Sequence, residues 1–165
     1  MDDIYFEDIV VGATLQTGPY VIPELEMVAF AQAWDPMLMH IDGDYAEKHH
    51  GGLTASGTYL LAVKLKLIHS LPIPRTVIAS TGYDEVRFHR PVRAGEPVSV
   101  MLGWIGKRRS RSRPDRGIVT ARNALIDAKG EAVLSHRDTL IMRLRNPDAG
   151  TSLHRFGSTM RVAIA

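Results

Sequence analysis

The sequence predicts a single α+β domain in which an antiparallel β-sheet wraps around one apolar α-helix. Two observations carry this prediction. An apolar segment at helical spacing, TASGTYLLAVKLKLIHSL, occupies the middle of the chain, and from Arg75 onward the spacing changes to the two-residue alternation of β-strands. With 165 residues, 45% of them hydrophobic, the chain is long enough for one sizeable core and short for two.

The first helix is predicted directly after Pro23, over ELEMVAFAQAW. Pro36 disfavours helical geometry at the residue before it, so this helix should end near Asp35. The residues Asp42-Gly43-Asp44 are suited to start a short helix, DYAEKH, followed by a turn at Gly51-Gly52. The longer TASG segment is rich in Leu, Ala and Val around almost its whole circumference, which is typical of a buried helix.

Four consecutive strands are predicted after this helix. Pro91 and Gly95 separate the first strand from one that begins near Pro97, and the turn Asp127-Ala128-Lys129-Gly130 joins two later strands as a hairpin. After Leu144 no period is sustained. We therefore predict a domain over residues 1–145 and a C-terminal tail over residues 146–165.

The composition excludes several classes of function. The chain has no cysteine, so disulfides, thiolate nucleophiles and thiolate metal sites are excluded. Its histidines follow no recognisable metal-ligand spacing. The beginning, MDDIYFEDIV, is acidic where a secretory signal is basic, and no apolar run approaches the ~18 residues of a membrane span. We expect a cytoplasmic protein with no metal and no membrane partner.

The stretch WDPMLMHID places Asp35 and His40 five residues apart in an apolar run. On a continuous helix their side chains would point about 140° apart, because each residue turns the helix by about 100°. If the helix ends before Pro36, His40 can fold back towards Asp35. The sequence therefore allows an acid–base pair here, although each residue could also serve only as a helix-end or turn residue.

Six basic residues and one acidic residue are concentrated between Lys107 and Arg116, in KRRSRSRPDR. This segment carries a charge of +5. Because the net charge of the whole chain is +2, the remaining residues together carry −3. Such a cluster attracts phosphate groups, but it is equally typical of a solvated loop. No aromatic residue lies within it to stack on bases, which disfavours binding of nucleic acid.

The order of these segments, ending in RFHRPVRAGEPVSV, resembles the MaoC-like dehydratases and (R)-specific enoyl-CoA hydratases of the hotdog fold, from about residue 4 to residue 144. The family's motif is Asp-x-Asn-Pro-x-His-x-Asp, and Asp35, His40 and Asp42 match its two aspartates and its histidine. Met37-Leu38 replaces the Asn-Pro pair, and Ser56 stands where many members have histidine.

The resemblance implies an enzyme that reversibly adds water to a trans-2-enoyl-CoA to give a 3-hydroxyacyl-CoA. Asp35 and His40 would transfer the protons. Gly57 would bind the thioester oxygen through a backbone N–H in the first turn of the buried helix, with Ser56 as its cap and as a further substrate contact. Coenzyme A would enter only as part of the substrate, and a homodimer is expected.

Residues in and around the motif and in the basic cluster are candidates for further substrate contacts. Met37 and Met39 are candidates for an acyl pocket, although core packing would also explain them. Asp42 is a candidate substrate contact whose simpler role is to cap the short helix. The coenzyme's phosphates could bind the basic cluster, with Arg109, Arg111 and Arg113 as the leading candidates.

Three competing functions stay open at this point. A hotdog thioesterase would hydrolyse the same substrates and release a free thiol. A non-catalytic acyl-CoA binder, or a partner subunit in a mixed dimer, would explain the replaced Asn-Pro pair. Nucleic-acid binding through the basic cluster is the most distant of the three, and its binding would weaken strongly with salt.

Overall fold

A computed structural model of the chain describes residues 3–71, 73 and 76–146. A single 3-10 turn, Phe6–Asp8, precedes the regular elements. The helices are α1 (Glu24–Trp34), α2 (Leu38–Ile41), α3 (Gly43–His50) and α4 (Gly57–Ile68). The strands are β1 (Thr14–Val21), β2 (Val77–Phe88), β3 (Pro97–Arg109), β4 (Arg116–Ile126) and β5 (Ala132–Arg143).

The five strands form one antiparallel sheet in the order β1-β3-β4-β5-β2, and α4 packs against one face of it. Alternate side chains of the central strands point at the helix, as a two-residue period requires. On β3 these are the buried Val98, Val100, Leu102 and Trp104. The buried face of α4 meets them through Tyr59, Leu60, Val63 and Leu67. The predicted sheet around an apolar helix is thereby confirmed.

The hairpin between β4 and β5 has the expected turn chemistry. Gly130 takes a positive φ of 83°, which glycine adopts without steric cost. The Asp127 side chain accepts hydrogen bonds from the backbone N–H groups of Lys129 and Glu131, each at 2.9 Å. These bonds fix the turn and hence the pairing of the two strands.

Two elements differ from the sequence-based expectation. β1 was not predicted, because apolar and polar residues do not alternate regularly in its sequence, TLQTGPYV. The strand is interrupted at Gly18-Pro19, and its pairing with β3 shifts between Thr17 and Tyr20. α2 is a single helical turn that was not predicted. It is too short to give a periodic signal.

The predicted tail lies outside the described residues except for Asn146. In the part of the chain that the structure describes, no helix has the length and apolar character needed to cross a membrane.

Candidate active site

Asp35 lies where α1 ends. Its backbone N–H still donates to the Ala31 carbonyl at 2.8 Å, as in a helix, but its φ and ψ are no longer helical. The chain then turns sharply across Pro36, so that the N–H of Met37 donates to the Asp35 carbonyl at 2.8 Å. The helix end that proline was expected to impose is present, and the Asp35 side chain stays about one third exposed.

The single turn of α2 brings His40 back towards Asp35. The His40 ring is buried, with 6% of the residue exposed, and its Nδ1 lies 2.7 Å from the backbone carbonyl oxygen of Thr54. Because a carbonyl oxygen only accepts, Nδ1 carries the hydrogen and donates it. The opposite ring atom, Nε2, lies 3.8 Å from Oδ2 of Asp35. His40 is therefore held from behind with its second nitrogen facing the carboxylate.

Gly57 is the first residue of α4, and Ser56 caps the helix by accepting a hydrogen bond from the N–H of Tyr59 at 3.2 Å. An N–H in this first turn has no partner within the helix, and the helix dipole favours negative charge beside it. A Cβ at position 57 would lie 2.6 Å from the Phe88 ring, so a larger residue there would require this half-exposed ring to move. The glycine therefore allows the close approach of an aromatic ring.

These groups share one cavity of about 530 Å³. Asp35, His40, Met39 and Gly57 all line it. The other lining residues are Thr54, Ala55, Thr58, Leu60, Phe88, His89, Arg90 and Pro91. The cavity thus combines an apolar wall with an acid–base pair and a helix N-terminus, an arrangement typical of a small-molecule site.

Arg90 at this cavity is engaged with other protein groups. Its guanidinium donates to Glu96 at 2.9 Å and to Asp127 at 2.8 Å, and the bond from Arg90 lowers the pKa of the Asp127 carboxyl. Arg90 therefore ties the end of β2 to the β4–β5 hairpin. Its bonds to Glu96 and Asp127 hold in place the part of the cavity wall that Arg90 and Pro91 form.

Three predicted substrate contacts lie outside the cavity lining. Ser56 is fully buried and its hydroxyl acts as the helix cap. Met37 is 56% exposed at the start of α2. Asp42 accepts a hydrogen bond from the N–H of Tyr45 at 2.9 Å, which is the capping role considered for it from the sequence. Their contact with substrate stays a prediction.

The basic cluster lies at the other end of the sheet from the cavity. Two rows of paired residues across β2, β5, β4 and β3 mark the two ends of the sheet. The row at the cavity end is Phe88, Leu134, Leu125 and Val100. The row at the far end is Val77, Met142, Gly117 and Arg109. Nine residues separate the two rows along β3, which corresponds to about 30 Å. Lys107 is bound to the carbonyls of Phe6, Glu7 and Ile9. A phosphate role for Arg109, Arg111 and Arg113 stays a prediction.

Thr54 and Phe88 were not singled out from the sequence. Thr54 acts on His40 mainly through its backbone carbonyl, which leaves no side-chain signal. Phe88 meets Gly57 only because β2 lies against α4, and this is a tertiary contact. Among the described residues, no cluster of three or more His, Asp or Glu side chains is arranged to hold a metal ion.

The comparisons with known proteins agree with this fold. The MaoC like domain family matches residues 8–125, and the chain belongs to this family. Over 69 residues it is 42% identical to a mesaconyl-CoA hydratase of Haloarcula marismortui, covering 41% of this chain but only 19% of that protein. The chain therefore matches about a fifth of the length of this curated relative.

Solved structures extend the likeness to most of the chain. A MaoC-like dehydratase from Rhodospirillum rubrum superposes with a TM-score of 0.80 at 29% identity, covering 86% of this chain and 98% of that one. A protein of Mycobacterium tuberculosis described as a double hotdog fold superposes with a TM-score of 0.73 at 22% identity, covering 86% of this chain and 44% of that one. The fold is thus the hotdog fold.

Proposed function

We propose that the protein is a hydro-lyase that adds water across the double bond of a trans-2-enoyl thioester to give the 3-hydroxyacyl thioester. The thioester we propose is that of coenzyme A. The observation that carries the proposal is the placement of Asp35, His40 and the start of α4 around one cavity. Membership of the MaoC like domain family supports it, as does the name of the matched mesaconyl-CoA hydratase.

The separation of Asp35 and His40 suits a shared water molecule. At 3.8 Å the two side chains are farther apart than a direct hydrogen bond, so one water can contact both Oδ2 and Nε2. Asp35 takes a proton from this water as its oxygen bonds to C3 of the enoyl group. His40, protonated on both ring nitrogens, gives its Nε2 proton to C2. Transfer of the proton from Asp35 to His40 restores the pair, and dehydration follows the reverse path.

The developing charge on the thioester oxygen is stabilised by the first turn of α4. Electrons from the double bond move onto this oxygen when the water attacks, and the backbone N–H of Gly57 donates to it. Leu60, Ala55 and Pro91 give the cavity an apolar wall against which the reacting carbons can pack. No redox step or additional cofactor is needed to balance this reaction.

We propose that two copies of the chain form a homodimer. Among the described residues, β1 and β2 are both edge strands and pair with another strand along one side only. The double hotdog chain of Mycobacterium tuberculosis, of which this chain covers 44%, is consistent with pairing of two such domains.

The test is to supply crotonyl-CoA and longer or branched 2-enoyl-CoA esters and to follow enoyl absorbance and free thiol together. The proposal predicts loss of absorbance without thiol release. Thiol release would identify a thioesterase. Binding of the thioesters without turnover of any of them would instead support a non-catalytic binder or a partner-dependent subunit.

A further inference from the structure

A second cavity, of about 370 Å³, lies beside the first, and three of its six lining residues are arginines. Its residues are Glu85, Arg87, Arg122, Ser135, His136 and Arg137. The two cavities adjoin at one hydrogen bond, in which His89 of the first cavity and Ser135 of the second are 2.8 Å apart. Arg87 also directly precedes Phe88, which lines the first cavity.

The arginines of this cavity are held close together by the sheet. Arg122 on β4 and Arg137 on β5 are direct cross-strand partners, so their Cβ atoms are about 5 Å apart. Like charges in this position destabilise a sheet unless an opposite charge lies between them. A shift in register between Asp84 and Arg87 on β2 brings Arg87 beside Ser135, with which it pairs.

The described protein groups neutralise only part of this charge. Arg137 pairs with Glu85 at 3.2 Å, and within residues 3–71, 73 and 76–146 no carboxylate forms an ion pair with Arg87 or Arg122. His136 lies between Ser135 and Arg137 on β5, but its side chain points to the opposite, α4-facing side of the sheet, where it is 2% exposed and packs on the Tyr83 ring. Burial lowers the pKa of His136, so the unbalanced positive charge comes from the arginines.

We propose that this arginine cavity binds the phosphate groups of the nucleotide end of the acyl-CoA substrate. This assignment rests on the proposed function for the choice of ligand. Guanidinium groups bind phosphate through paired, charge-assisted hydrogen bonds, and three of them suit a ligand with several phosphates. The thioester would react in the first cavity while its nucleotide end lies across the His89–Ser135 bridge, on the outer face of the sheet.

The inference is tested first by binding, without turnover. Calorimetry with adenosine 3′,5′-bisphosphate, the nucleotide end of coenzyme A without the rest, is carried out on the wild type, Arg122→Gln and Arg109→Gln. Both arginines are exposed, so neither change should disturb folding. We expect Arg122→Gln to weaken binding at least about tenfold, the size of one lost charge-assisted hydrogen bond, and Arg109→Gln to leave it within about twofold.

A kinetic comparison separates this inference from the proposed function. Crotonyl-pantetheine lacks the nucleotide, so its hydration reports on the first cavity alone. We expect Arg122→Gln to raise KM for crotonyl-CoA and to leave KM for crotonyl-pantetheine unchanged. Equal nucleotide binding by the wild type and Arg122→Gln, or a loss confined to Arg109→Gln, would overturn the assignment. Failure to hydrate either thioester would refute the proposed function but leave the binding result intact.

Discussion

Lys64 shows how burial changes the chemistry of a single residue. It is fully buried on α4, donates to the Tyr83 hydroxyl at 3.1 Å and lies 4.2 Å from the centre of that ring. Burial lowers the pKa of Lys64 to about 8, and the negative charge of Asp138 opposes this shift. The pKa of the nearby Tyr83 is raised by the same burial. The folded chain therefore releases the Lys64 proton more readily than the unfolded chain does.

This shift predicts that stability rises with pH between about pH 8 and pH 10. In that range the unfolded chain, whose lysine has an ordinary pKa of 10.5, binds a proton that the folded chain has released. The expected gain in the free energy of unfolding is about 2 kcal/mol. Urea unfolding of Lys64→Met should lose this rise, whereas Lys66→Met, which changes an exposed lysine two residues away, should keep it. A rise of equal size in both variants would contradict the assignment.

At the scale of elements, the contact between α4 and β2 fixes one wall of the candidate site. The helix presents Gly57 to the Phe88 ring, and no larger residue fits between them without movement. From the sequence, we expected Gly57 to bind the thioester oxygen through its backbone N–H. The structure adds that the glycine also makes room for an aromatic side chain of the protein.

Gly57→Ala should therefore destabilise the protein through Phe88. The added methyl group would overlap the ring, and because the ring is half exposed and can rotate away, we expect a cost of about 1 kcal/mol, the low end of the range for overpacking. In a Phe88→Ala background the same change should cost much less, because the overlap is gone. Urea unfolding of the four proteins in this double-mutant cycle measures the difference. Equal costs in both backgrounds would mean that the glycine is required for another reason.

At the scale of the whole molecule, the strongly periodic parts of the fold could be predicted and the rest could not. The apolar α4, the break at Pro36 and the hairpin at Gly130 each follow from a local physical rule. β1 could not be predicted, because Pro19 interrupts its alternation and the strand is held in the sheet by its pairing with β3.

The candidate site was predicted only in part, for a related reason. Asp35 and His40 lie close in sequence, and one proline was enough to suggest that they meet. The fixing of His40 by the Thr54 carbonyl and the grouping of Arg87, Arg122 and Arg137 both depend on contacts between distant segments. Such contacts leave no pattern in a single sequence, whereas the conspicuous run from Lys107 to Arg116 lies far from the cavity.

The most direct test of the central claim is to measure kcat for hydration of a 2-enoyl-CoA by the wild type, Asp35→Asn and His40→Ala, with circular dichroism to confirm folding. If the two side chains transfer the protons, each variant should lose about 100-fold or more, since one positioned acid or base typically contributes that much. Folded variants that hydrate the substrate at the wild-type rate would contradict the assignment of this pair as the acid–base centre.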